Sequence, residues 1–318
     1  MLDLKDRKIL NQLDINCRQS DSEIGKKVRL SKEVVNYRIK RLLENKIITG
    51  FYPHINIAKI NLSAHKIYLR FKSLTKEKEQ ELWNYLISKN EIVWVISCSG
   101  RWDIIFGIVS KTIEEFNLIL TDFMNQYSQY IAEKSISVFS KATLHHRKWL
   151  LQNQQDIHWL LGGKIENEKI DEIDKKIMDL LSQDARMPII KLAKEVRISS
   201  SLIIQRIKKL QQKKIIEAFR ASLNKKILDI NYCKSFIYLQ TQTSEKLNQL
   251  LAYCYSLNSI IGISESIGPW DLELEFEVPN YNEFHDIMKE LKNKFPIISN
   301  FETVYIEKEY GNSFLPEL

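Results

Sequence analysis

The stretch Ile24–Phe51 reads IGKKVRLSKEVVNYRIKRLLENKIITGF, and Leu192–Phe219 reads LAKEVRISSSLIIQRIKKLQQKKIIEAF. The two align without a gap at an offset of 168: Val28-Arg29 and Ser31 fall on Val196-Arg197 and Ser199, and Arg38-Ile39-Lys40 falls on Arg206-Ile207-Lys208. Upstream, Asp6, Lys8, Ile9, Leu13 and Arg18 meet Asp174, Lys176, Ile177, Leu181 and Arg186. Downstream, SGRWDI at 99–104 meets IGPWDL at 267–272, so that Gly100, Trp102 and Asp103 coincide with Gly268, Trp270 and Asp271. An offset held over that range marks a tandem duplication, with units at 2–142 and 170–310.

Each unit divides in two. Leu4, Ile9, Leu10 and Leu13 are spaced as one face of a helix, and a short helix over 22–28 turns Ile24 and Val28 inward. Ser31 is a good N-cap for a third helix, Lys32–Asn45, whose inner side carries Val35, Ile39 and Leu42. Lys46–Phe51 reads as a strand and turn opening a hairpin wing. These elements predict a winged helix-turn-helix over 1–55, repeated over 170–223. The remainder predicts strand 65–72, helix 76–89, strands 92–97 and 103–109, helix 113–130 and strand 131–139. That βαββαβ order is a ferredoxin-like sandwich over 60–142, repeated over 230–310 from a first strand at 236–241. The fold class is therefore α+β. The segment 143–169 has no counterpart and reads as a linker. Its WLLQNQQDIHWLL core has a helical pattern, Gly162-Gly163 would stop that helix, and His145-His146 would be a solvated pair.

Charge is segregated along the chain. Residues 1–50 and 169–218 each carry 12 Lys/Arg against 7 Asp/Glu, so the rest of this +7 chain sums to −3. Two basic blocks suit a polyanion partner. No apolar run reaches the roughly 18 residues of a membrane helix. The charged N-terminus lacks a signal-peptide core, and four cysteines without a CxxC pair read as reduced thiols, which together predict a cytoplasmic protein. A phosphate-cradling glycine loop, HExxH and a nucleophile elbow are all missing from the sequence, and no cofactor or metal is expected.

The heads, LDLKDRKILNQL followed by IGKKVRLSKEVVNYRIKRLLENKIITGF, resemble those of the leucine-responsive/asparagine-synthesis regulator (Lrp/AsnC) family. The sandwiches with their Gly-x-x-Asp hairpins resemble that family's ligand-sensing RAM domain. The resemblance implies a sequence-specific DNA-binding transcription regulator and no enzyme. Its sandwiches would pair and bind small effectors such as amino acids at the pairing interface. Fusing two units in one chain points to an internal pseudo-dimer of the two RAM domains, compatible with further homo-oligomerisation and with double-stranded DNA as partner.

The second helix of such a motif enters the major groove. The first copy presents Lys32, Asn36, Tyr37 and Lys40, with Arg38 and Arg41 on the flanks; Asn36 suits an adenine edge and the lysines suit phosphate or guanine. Arg38 could equally form an ion pair with Asp6. Lys46 and His54 could reach phosphate from the wing. The second copy presents Ser200, Ser201, Gln205 and Lys208, with Arg206 and Lys209 flanking, and has Ile204 where the first has Asn36. Unequal faces predict an asymmetric operator, or a second head that only clamps backbone. Gly100, Trp102, Asp103, Gly268, Trp270 and Asp271 are candidate effector-site residues. Alternatively the glycines supply positive-φ hairpin positions, the aspartates accept backbone bonds, and the tryptophans fill the interface. Sirohaem decarboxylases of haem biosynthesis resemble this head and sandwich too, and form the alternative reading.

Overall fold

A computed structural model describes residues 2–151, 156–240 and 243–310. Parts of two expected elements, 152–155 of the connector helix and Thr241 at a strand end, lie outside the described residues, as does Met1.

The first head consists of α1 (Leu4–Ile15), α2 (Asp21–Val28) and α3 (Lys32–Glu44), followed by β1 (Ile48–Ile55). Each helix starts where a side chain can satisfy the orphan amides of its first turn. Asp3 and Ser20 close capping boxes with Asp6 and Glu23, and Ser31 accepts from the Val34 amide. The first sandwich is β2 (Ser63–Phe71), α4 (Lys76–Ser88), β3 (Ile92–Gly100), β4 (Ile104–Ser110), α5 (Ile113–Tyr127) and β5 (Ile131–His145). After β6 (His158–Gly162) the second head follows as α6 (Glu172–Gln183), α7 (Ile189–Val196), α8 (Ser200–Gln212) and β7 (Ile216–Leu223). The second sandwich is β8 (Asn231–Leu239), α9 (Ser244–Ser256), β9 (Ile260–Ile267), β10 (Leu272–Val278), α10 (Tyr281–Lys294) and β11 (Ile298–Tyr310).

The strand after each head does not fold back as a hairpin wing. Instead β1 pairs antiparallel with β7, Phe51 opposite Ala221 and Pro53 opposite Phe219. Each head has a single strand, and a lone strand needs a partner for its backbone groups. Its copy supplies one. Helix α1 packs on β7 and α6 on β1, so the two heads share one apolar core that includes Ile9, Leu13, Ile177, Leu181 and Phe219.

The sandwiches are joined by their last strands. Strand β5 lies along β2 as far as Val138, then crosses to β9 of the other unit; β11 lies along β8 and crosses at Val304–Tyr305 to β3. The sheet order β2-β4-β3-β11-β8-β10-β9-β5, with β5 also on β2, closes eight strands into a ring, and β6 is added outside β5. The expected end of the last strand at 139 therefore falls short, because β5 continues to His145 in order to bridge the units.

The connector also departs from expectation. Residues 158–162 form a strand against β5, not a helix, with His145 opposite His158. Gly162 and Gly163 do have positive φ, 77° and 87°, but they turn the chain at a strand end. His145, His146, Arg147 and Lys148 are all buried, so they are a packed strap and not a solvated linker.

Under that strap sits a charged cluster. Asp14 of α1 accepts from the Arg147 backbone amide at 2.6 Å and from its guanidinium at 2.5 Å, and from Arg220 of β7 at 2.8 and 2.9 Å. Arg147 Nε also donates to Glu277 at 2.9 Å, as does Trp149 Nε1 at 2.7 Å. Burial alone would raise the Asp14 pKa, but Arg220 and Arg147 outweigh it and hold the carboxyl below its usual range. Removing Asp14 leaves two buried guanidiniums with a single remaining carboxylate between them. Asp14→Ala is expected to cost about 3–5 kcal/mol in urea unfolding, and a loss below about 1 kcal/mol would show that the cluster does not hold head to sandwich. Because the Asp14 pKa is lowered on folding, its contribution is present at neutral pH and is lost as pH falls through the folded value. The stability gap between parent and variant should therefore narrow on acidification.

Candidate nucleic-acid interface

Helices α3 and α8 present the candidate reading residues as their inward stripes dictate. Val35, Ile39 and Leu42 are buried, and so are Ile203, Ile207 and Leu210. Lys32, Asn36, Tyr37 and Lys40 face outward, as do Ser201, Gln205, Lys208 and Lys209, while Ser200 is half-buried. Tyr37 and Ile204 are 64% and 54% exposed on these outward faces. Lys32, Lys40 and Lys208 enter no ion pair among the described residues, so their charge is available to a polyanion.

The flanking arginines are differently employed. Arg38 pairs with Asp3 and Asp6, both at 2.8 Å, and Arg41 with Asp6 at 2.7 Å. Arg206 repeats this with Asp171 and Asp174 at 2.7 and 2.9 Å. The hydrogen bond that Arg38 donates to Asp3 raises its pKa further, against the opposing effect of burial. Of the two readings open for Arg38, the ion pair to helix 1 is the one observed. Arg38 and Arg206 thus lash each reading helix to its own α1 or α6, while Arg41 keeps about a third of its side chain exposed. Asn36 also has a protein partner, donating to Asp21 at 2.8 Å. His54 is buried beside Arg220 and stacks near Trp159, which removes it from any phosphate; burial holds its pKa well below the usual range. Lys46 is exposed at the end of α3 in the left-handed region, φ 54°.

What fixes one head against the other went unread in the sequence, although its signal was present. Arg18 and Arg186 are equivalent under the offset. Arg18 donates across to the Ala185 carbonyl at 2.7 Å, and Arg186 to the Cys17 carbonyl at 2.6 Å. Arg186 also pairs with Asp21 at 2.5 Å, the carboxylate that holds Asn36. The backbone repeats the reciprocity: the Cys17 amide donates to Phe219 and the Ala185 amide to Phe51. This is the self-complementary contact of a two-fold dimer, written within one chain.

The Gly-x-Trp-Asp hairpins lie in the sandwiches, away from the reading helices. Asp103 accepts from the Phe71 amide and Asp271 from the Leu239 amide, each at 2.7 Å. Trp102 and Trp270 are buried in the core inside the ring of strands, where both pack on Tyr68 and on each other, with centroids 6.4 Å apart. Gly100 has φ 112°, but Gly268 is not in the positive-φ region, so the shared turn explanation applies to the first copy alone. What the glycines share is proximity to the other unit's crossing strand. A Cβ on Gly100 would lie 2.6 Å from the Thr303 carbonyl, and one on Gly268 2.9 Å from Ser137 Cβ. Arg101 bridges Glu133 and Glu302 across the units, and Pro269 cannot do so.

A cavity of about 210 Å³ lies between the sheets and the β1–β7 ribbon, lined by Lys66, Trp94, Arg147, Arg220, Lys234 and Glu275 among others. Its cations are matched. Lys66 and Lys234 reach Glu273 at 2.9 and 3.2 Å, and Lys234 also reaches Glu275 at 3.0 Å. Burial would raise the Glu273 pKa, yet Lys66 and Lys234 pull it down to about 2.

Comparison with known proteins adds the following. The AsnC-type helix-turn-helix domain matches residues 2–43 and again 170–211. The chain is 35% identical to the HTH-type transcriptional regulator Ptr1 of Methanocaldococcus jannaschii over 122 residues, 38% of this chain and 81% of that protein. It is 26% identical to the HTH-type transcriptional regulator FL11 of Pyrococcus furiosus over 119 residues, 37% of this chain and 78% of that one. Along nearly its whole length it shares the fold of the siroheme decarboxylase NirDL, with a TM-score of 0.64 at 11% identity, covering 98% of this chain and 94% of that one.

The hairpin geometry yields a graded expectation. Gly100→Ala meets both backbone strain and the Thr303 carbonyl, whereas Gly268→Ala meets Ser137 and the Ile136 carbonyl at longer distances without the positive φ, so losses of about 2–4 and 1–2 kcal/mol are expected in thermal unfolding. Equal and negligible losses would show that the crossing strands do not press on the hairpins.

Proposed function

The chain belongs to the Lrp/AsnC family of helix-turn-helix transcription regulators, and from that premise we propose that it is a double-headed regulator gripping two unequal DNA half-sites. The observation that carries this is the reciprocal clasp of the heads. Pairing of β1 with β7, together with Arg18 and Arg186, supports a fixed separation of α3 from α8, as bound half-sites require. In this reading Asn36 and Tyr37 meet base edges from one head, and Ser200, Ser201 and Gln205 from the other. Lys32, Lys40, Arg41, Lys208 and Lys209 meet phosphate, while Arg38 and Arg206 hold the helices in place. Asn36 trades its Asp21 contact for an adenine when DNA is bound.

We assign an effector-sensing role to the two hairpins. With Trp102 and Trp270 committed to the core, an effector such as an amino acid would touch the Gly100 and Gly268 edges, Asp103 and Asp271 shaping the turns behind them. Arg101 against Pro269 makes the two edges unequal, and one pocket is expected to bind better than the other. The regulator would act in the cytoplasm, without catalysing a reaction. The cavity beside the β1–β7 ribbon supports the non-enzymatic reading through its charge, because its buried cations are already paired. A polycarboxylate macrocycle needs uncommitted positive charge. Incubation with sirohaem should therefore leave its Soret band unshifted.

Selection of bound genomic fragments, followed by footprinting, should give an asymmetric site; a perfectly palindromic consensus would overturn the two-half-site reading. Affinity should fall steeply with salt, and Lys40→Ala should flatten the log–log slope by about 1 while weakening all sequences alike. Asn36→Ala should relax preference at one base pair by about 1–3 kcal/mol and leave the slope unchanged. Arg38→Ala should lower the unfolding free energy by about 1–3 kcal/mol, the scale of lost hydrogen bonds to charged groups.

A further inference from the structure

The connector holds a cluster that the duplication does not supply. His145 closes β5 and His158 opens β6, and their antiparallel register sets the two rings opposite each other with centroids 5.8 Å apart. Asp156 reaches both. Its Oδ1 lies 3.0 Å from His145 Nδ1, and its Oδ2 lies 3.5 Å from His158 Nδ1. The three candidate ligand atoms are all within 4.8 Å of one another. We propose that His145, Asp156 and His158 form a binding site for a divalent first-row cation of the zinc type, a clip that fastens β6 to the end of β5.

The donor set selects the metal. Two imidazoles and one carboxylate suit zinc, cobalt or nickel, whereas magnesium and calcium require oxygen ligands throughout. Bonds of about 2.0–2.2 Å at a tetrahedral centre hold their ligand atoms roughly 3.3–3.5 Å apart. The two contacts of 3.0 and 3.5 Å run to different oxygens of Asp156, and with one ligand atom per residue the set lies within 4.8 Å, so a bound cation would draw the three groups together. Three protein ligands leave one position to water. Lys148 is the opposing charge: its ammonium lies 3.3 Å from Asp156, while it also donates to the Tyr255 carbonyl at 2.6 Å. The cation takes Asp156 from Lys148, which keeps its carbonyl partner, and this competition lowers the affinity.

His158 and Asp156 have side chains 52% and 38% exposed, so both can be replaced without opening the core. Titration calorimetry of the full chain with Zn²⁺, and Co²⁺ titration followed in the visible, should each show one cation per chain and a raised melting temperature. His158→Ala and Asp156→Asn should each weaken binding at least about tenfold, with an unchanged circular dichroism spectrum. Absence of one-to-one binding, or equal affinity in the double variant, would overturn the site. DNA retention is read in parallel, so loss of the metal site and loss of the regulator reading are told apart.

Discussion

A β-strand cannot leave its backbone donors and acceptors unpaired inside a folded molecule, and in this chain that requirement is met across the duplication. Strands β5 and β11 are longer than their own sheets can use. Each spends its first half at home and its second half in the other copy, which closes eight strands into a ring. The heads obey the same rule with one strand apiece. Neither unit is complete without its sibling, and the arrangement of the reading helices follows from that interdependence.

Closing the ring encloses charge, and the enclosed charge is balanced by contributions from distant parts of the sequence. Glu273 of the second unit meets Lys66 of the first, while Asp14 of the first head meets Arg220 of the second and Arg147 of the connector. Such pairs add little net stability compared with apolar packing, since desolvation consumes most of the Coulomb gain. Their effect is on specificity. Any register of β1 on β7, or of β5 on β9, that separated the partners would strand a buried ion, so the two halves have one way to fit. Tyr68, with its hydroxyl on Glu273 and its ring packed on both Trp102 and Trp270, ties that balance to the apolar core.

The elements within each unit were legible because they are local. Helical spacing at Leu4–Leu13 and the N-cap at Ser31 depend on near neighbours, and the constant offset exposed the duplication without reference to structure. Contacts between units were not legible in the same way. Nothing near Phe51 or Phe139 announces that the partner strand lies in the other copy, and a lone strand beside a turn imitates a hairpin wing. The connector misled for a related reason. Its apolar spacing fits a helix, but pairing of β6 with β5 outweighs that weak preference, and the burial of His145 and His146 comes from what covers them. Among the proposed reading residues, exposure on α3 and α8 followed from the inward stripe. The commitment of Arg38 to Asp6 was weighed from sequence, whereas the hold of Asp21 on Asn36 required three dimensions. Arg18 and Arg186 were visible as a matched pair, yet matching alone does not reveal that each reaches into the other's turn.

The crossing of β11 has a bearing on how the chain reaches its folded state. Residues 298–310 are the last described and pair with both sandwiches. Until they leave the ribosome, β3 presents an open edge, and β1 has no partner before β7 is made. The first unit therefore stays an incomplete sheet until the second has been made, exposed to pairing with other nascent copies. Covalent fusion counters this by keeping the correct partner at a high local concentration, where two separate chains would have to find each other by diffusion. The order in which the ends meet, last strand to first sandwich, makes final closure a long-range and comparatively slow event.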